Sequence, residues 1–133
     1  MRRVSLIFCG VIVVGVALFT SKLGNGQTQM RKAPRLVRIA ELEIDPGQLI
    51  EYKNALSEEI ATSVHDEPGV LNLYAVAVKG QPNQVRIFEV YRDQAAYESH
   101  LQSPHFKKYK ETTQGMVKSL KLIETEPIIL GAK

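Results

Sequence analysis

Four side chains able to move a proton or hold a planar ring, Glu89, Tyr91, His100 and His105, fall within the segment NQVRIFEVYRDQAAYESHLQSPHF, residues 83–106. An imidazole titrates at about pH 6.5, so a histidine in this set can act as a general base near neutrality. His100 is the first candidate for that role; a packed imidazole bonded to a neighbour is the structural alternative. Glu89 alternates in phase with Val85, Ile87 and Tyr91, an odd place for a carboxylate, because burying an unpaired polar group costs about 1–3 kcal/mol. It can orient a histidine, hold a substrate hydroxyl, or pair with an arginine or the amides of a helix start. Tyr91 offers a ring for offset stacking on a planar ligand, or simply fills the core. His105 follows Pro104 at a helix start, where the helix dipole disfavours its charged form. Asn72 and Tyr74 share one phase of an earlier strand and can add hydrogen bonds, while Tyr97 and Phe106 complete the candidate substrate contacts. A metal site from His100, His105 and Glu89 is disfavoured, since five-residue histidine spacing broken by Pro104 does not place both rings on one helical face.

These groups must be carried by a small set of elements. Leu36 to Ile44 alternate as a strand, with Leu36, Ala40, Leu42 and Ile44 opposed to Val37, Ile39, Glu41 and Glu43. Asp45-Pro46-Gly47-Gln48 then opens a helix, Asp45 as cap, Pro46 at the first position and Gln48 closing a capping box. Leu49, Tyr52, Leu56, Ile60 and Val64 form its apolar stripe. Glu67-Pro68-Gly69 ends it, with the glycine placed for a positive backbone dihedral. Val70 to Val78 and Gln84 to Arg92 make a hairpin around Gly80-Gln81-Pro82-Asn83. Asp93 caps a short helix bearing Ala96, Tyr97, His100 and Leu101. Ser103-Pro104 starts another, with Phe106, Tyr109, Thr113, Met116, Val117 and Leu120 on one face. Lys121 to Leu130 read as the last strand, Pro127 marking an edge or bulge.

The order strand, helix, strand, strand, helix, strand predicts an α+β, ferredoxin-like four-stranded antiparallel sheet with helices on one face. Both phases of the strands carry apolar residues, Val76 and Val78 against Ala75 and Ala77, or Ile87 against Phe88 and Val90. A homodimer formed through the sheets hides the second face most simply.

With 133 residues, 44% apolar and 23% charged, there is room for one globular domain. Residues 1–26 read as a signal peptide or a retained N-terminal membrane anchor: Met1 to Arg3 are positive, Val4 to Phe19 nearly all apolar, and polar, glycine-containing chain follows. Residues 27–34 are a tether and 35–130 the folded domain, which is therefore expected to be exported, periplasmic or secreted, or held at the envelope. Removing Arg2, Arg3 and Lys22 from the 17 basic residues leaves 14, matching the 14 acidic ones, so the chain from Gln27 onward is formally neutral. A nucleic-acid partner is excluded on that ground, since Lys107, Lys108 and Lys110 are the only dense basic group and read as a solvated helix side. Cys9, the one cysteine, lies in the leader, so the domain has no disulfide, thiolate nucleophile or cysteine metal ligand.

Glu67-Pro68-Gly69 before the second strand, Phe88-Glu89-Val90-Tyr91, Ala95-Ala96-Tyr97 with His100, and Ser103-Pro104-His105-Phe106 together resemble the antibiotic biosynthesis monooxygenase (ABM) family, including its quinol-monooxygenase-like members. The resemblance covers about Leu36 to Pro127. It implies a dimeric α/β barrel and a cofactor-independent enzyme that oxidises a small aromatic quinol with O2, His100 and Glu89 supplying acid-base catalysis. No metal, flavin or haem is then required, and haem degradation is disfavoured because the chain has no tryptophan. A non-catalytic dimeric binding domain and an isomerase of a small oxygenated metabolite are the competing readings.

Overall fold

Strict alternation sets the sheet. In the computed structural model, which describes residues 34–131, β1 (Leu36–Ile44) buries Ala40, Leu42 and Ile44 on one face. Its antiparallel partner β3 (Gln81–Tyr91) sets Val85 opposite Leu42, Ile87 opposite Ala40 and Glu89 opposite Arg38, so all six share that face. β2 (Val70–Val78) pairs with β3 and β4 (Val117–Thr125) with β1, giving the order β2-β3-β1-β4 of a ferredoxin-like α+β fold. The expected leader or anchor (1–26) and nearly all of the tether lie outside the described residues. Among the described residues no helix is long and apolar enough to cross a membrane.

The helices cover the dry face. A single turn of 3-10 helix (Pro46–Gln48) leads into α1 (Leu49–Asp66), whose Tyr52 and Leu56 meet Ala40, Leu42, Ile44, Val85 and Ile87 in the main core. α2 (Gln94–Gln102) brings Ala96 against Val70, Leu73 and Tyr91 in a second cluster, and α3 (Pro104–Thr113) adds Tyr109 to the first. Asp93 caps α2 by accepting from the Ala96 amide, and Ser103 caps α3 by accepting from the Phe106 amide.

Five local expectations change. Asp45 caps as expected, accepting from Gly47, but no capping box forms with Gln48, because the Asp45 amide already donates to the Met116 carbonyl. The buried side of α1 is Tyr52, Leu56, Glu59 and Ser63, while Val64 is exposed. β3 begins at Gln81, three residues early, since its first residues pair back onto Val78. β4 begins at Val117 and ends at Thr125, because Val117 to Thr125 find a full ladder on β1; Pro127 lies beyond it. Gly69 has no positive φ; among described residues only Gly80 does, at the hairpin turn. What Gly69 requires is room, since a Cβ there would sit 2.5 Å from the Cβ of Ala96.

Candidate functional site

Between α3 and the dry face of the sheet lies a cavity of about 330 Å³, walled by Leu42, Ile87, Phe106, Tyr109, Leu120 and Leu122 among others, with Glu89 as its acidic group. The β1–β3 register puts Glu89 there: as an odd-numbered residue of β3 it must share the face of Val85 and Ile87. Its carboxylate accepts from the Tyr91 hydroxyl at 3.0 Å. Burial raises the Glu89 pKa above its usual 4.5, and the Tyr91 bond and the nearby charges of His100 and Arg38 only partly oppose this. A wider groove of about 540 Å³ between α1 and the edge strand β2 is lined by Leu56, Ile60, Leu73 and Val76 with Lys53 at its margin, and lacks converging polar groups.

Behind the Phe106 wall is a polar cluster. The His100 ring, 3% exposed, lies 4.7 Å from the Phe106 ring and 5.4 Å from that of Tyr91. Both its nitrogens face carboxylates: Nδ1 is 2.9 Å from Glu67 Oε1, and Nε2 is 3.6 Å from Glu59 Oε1. His105 Nε2 reaches the same Glu67 oxygen at 2.6 Å. Burial pushes the Glu67 carboxyl up, but its bonds from His100 and His105 outweigh this and hold it below the ordinary carboxylate range. Glu59 is 6% exposed and accepts from Ser63 at 2.7 Å; burial raises its pKa against the opposing effects of Ser63 and the two histidines. The break at Pro104, which argued against a shared histidine site on one helix, is what turns His105 back toward His100.

The predicted residues therefore divide. Glu89 and Phe106 line the cavity; Tyr91 is buried against Glu89; His100 and His105 meet at Glu67, behind the cavity wall and outside its lining. Tyr97 packs edge-on against Tyr91 at 5.2 Å, and its hydroxyl accepts from Arg38 at 2.6 Å. Asn72 and Tyr74 do not join them. A β-bulge between Val70 and Asn72 shifts the phase of β2, so Leu73 takes the inward place opposite Glu89 while Asn72 and Tyr74 turn to the other face.

Sequence reasoning missed Arg38, Glu59, Ser63 and the role of Glu67. Arg38 shares the phase of Ala40 and Leu42, stacks over the Tyr97 ring at 4.3 Å and donates to Glu124 at 2.6 Å. Glu59 and Ser63 continue the four-three-four spacing from Tyr52 and Leu56, which was a readable signal.

A family model of the antibiotic biosynthesis monooxygenases matches residues 35–112. Among solved structures, the chain is similar to a protein from Bacteroides thetaiotaomicron VPI-5482, assigned by name to the antibiotic biosynthesis monooxygenases, at 54% identity over 75% of this chain and 95% of that one, with a TM-score of 0.73. A protein from Lactobacillus acidophilus NCFM, assigned by name as a monooxygenase, is 32% identical over 68% of this chain but only 44% of that longer one, at a TM-score of 0.66. One from Nitrosomonas europaea is 16% identical over 71% of this chain and 99% of that one, at a TM-score of 0.67, a likeness of fold. No curated protein matches the chain.

Proposed function

The chain belongs to the antibiotic biosynthesis monooxygenase family, and from that premise we propose that it oxidises a small aromatic quinol with O2 without a cofactor, in the cavity between α3 and the sheet. One observation carries the reading: a desolvated carboxylate of raised proton affinity, Glu89, at the edge of an apolar hollow large enough for one ring. A carboxylate whose pKa is raised by burial is a stronger proton acceptor than one in water. Glu89 takes the phenolic proton; Tyr91 fixes the carboxylate by its hydrogen bond; Phe106 and Tyr109 stack against or flank the ring. The electron-rich quinolate then reduces O2 directly. One oxygen atom enters the ring, giving a hydroxyquinone, and the other leaves as water, so the quinol supplies all the electrons and no external reductant is needed. His100, buried behind Phe106 with its ring 4.7 Å from that side chain, acts as a positioning residue for the cavity wall.

The active form is a homodimer joined through the outer sheet face. That face bears Tyr74 at 65% and Val76 at 61% exposure, with Phe88, Ile39 and Ile123 in the same register, too much apolar surface to leave in water. The N-terminal segment, positive then apolar, exports the domain or anchors it at the envelope.

Oxygen uptake by the purified protein on a panel of hydroquinones tests the reading. Wild type should consume oxygen and Glu89→Gln should fall on the order of 100-fold or more. Saturable quinol binding with no oxygen uptake in either protein would replace this reading with that of a binding domain.

A further inference from the structure

We propose that Glu67, His100 and His105 form a binding site for one divalent transition-metal ion. The three side chains offer a carboxylate oxygen, Nδ1 and Nε2, all within 4.8 Å of one another. Two imidazoles and one carboxylate suit zinc and its first-row neighbours, rather than magnesium or calcium, which prefer oxygen-only sites. Glu67 Oε1 lies 2.9 Å from His100 Nδ1 and 2.6 Å from His105 Nε2. Bonds of about 2.1 Å in tetrahedral geometry place ligand atoms roughly 3.4 Å apart, so the side chains need move by less than about 1 Å. They come from three segments, the turn after α1, the last turn of α2 and the first turn of α3, so an ion would tie together the elements behind the Phe106 wall.

A second, independent observation is Glu59. Metal-bound histidines usually donate their other ring N–H to a carboxylate, which fixes the tautomer and strengthens the ligand. His100 Nε2 faces Glu59 Oε1 at 3.6 Å, and Glu59 is held from the other side by the fully buried Ser63. A nearly buried glutamate on the packed side of α1 is costly, and an ion on the far nitrogen of the His100 ring supplies a reason for it. The charge also closes: two carboxylates, two neutral imidazoles and a divalent ion sum to zero, which a buried site favours. Glu67 and His105 keep 15% and 19% side-chain exposure, so solvent can deliver the ion and complete its coordination. The site requires no redox step.

The test is titration of the full-length untagged protein, treated with chelator and then dialysed, with Zn²⁺ by calorimetry and with Co²⁺ by visible absorption. The expected result is one ion per chain, a Co²⁺ ligand-field spectrum, and a Tm that rises with Zn²⁺. His105→Ala and Glu67→Gln should abolish binding, and Glu59→Gln should weaken it on the order of 10- to 100-fold. His65→Ala, at the only other histidine and an exposed one, should change nothing. Circular dichroism separates unfolded variants from folded ones that fail to bind. Binding that survives His105→Ala in a folded protein, or that His65→Ala removes, overturns the proposal, as does wild type that binds no Zn²⁺ at micromolar concentration.

Discussion

Replacing Gly69 by alanine should destabilise the domain through one contact, and the size of the effect follows from the geometry. A Cβ on Gly69 would lie 2.5 Å from the Cβ of Ala96 and 3.3 Å from its Cα. Carbon atoms rest at about 3.5–4.0 Å, so β2 and α2 must separate by about 1 Å. Overpacking of this kind costs about 1–3 kcal/mol, and the upper part of that range is expected here. α2 also carries His100 and Tyr97, whose bonds to Glu67 and Arg38 loosen as it moves. The Gly69 carbonyl, which accepts from Arg92, resists the shift on the other side. Thermal denaturation at fixed protein concentration should show Tm lowered by about 4–20 °C for Gly69→Ala. Ala96→Gly alone should cost about 1 kcal/mol as a helix-interior glycine, plus its small lost contact. The double variant should be more stable than Gly69→Ala, because the clashing Cβ is gone. If the two losses simply add, the close approach of α2 to β2 is not why position 69 is glycine, and the reasoning fails.

The Glu89 carboxyl, raised by burial, makes activity and stability move oppositely. Turnover rises as pH climbs through its folded pKa, while the stability present below the unfolded value near 4.5 is lost over the same window; parallel pH profiles of oxygen uptake and Tm check this, and Glu89→Gln should flatten both. The Tyr52 and Tyr109 hydroxyls bond to each other at 3.0 Å inside the core. Tyr109→Phe leaves the fully buried Tyr52 hydroxyl without that partner and should cost about 1–3 kcal/mol in urea denaturation, whereas Tyr52→Phe/Tyr109→Phe should recover part of the loss. Val76→Asp on the outer sheet face should convert a sedimenting dimer into a monomer of unchanged circular dichroism; a wild-type monomer at micromolar concentration would defeat the dimer reading.

The sheet was legible because period-two alternation leaves little freedom: the phase of Ala40, Leu42, Ile44, Val85 and Ile87 fixed the dry face, and Glu89 had to join it. Elements failed where two patterns fit the same residues. Met116, Val117 and Leu120 satisfy helical spacing from Thr113, yet Val117 and Leu120 also complete a ladder opposite Ile44 and Leu42, and the ladder wins because it buries more backbone polar groups in pairs. Asn72 and Tyr74 share one phase, as expected, but a one-residue bulge reverses the phase of all that follows Val70 and leaves no mark in the pattern, so that phase is the one facing away from Glu89. Glu59 was passed over because a carboxylate on the packed side of a helix makes sense only once His100, 41 residues later, is known to face it.

The turn Glu67-Pro68-Gly69 joins the two halves of the site by opposite means. Gly69 lets α2 lie directly on β2 by having no side chain, and Glu67 draws the end of α2 and the start of α3 inward by having a charged one. Neither residue touches the cavity, yet the position of Phe106, which does, depends on both, since Phe106 follows His105 and packs on His100. A change at either position should therefore alter KM for a ring-shaped ligand before it alters proton transfer at Glu89, which is held independently by the β1–β3 register and by Tyr91.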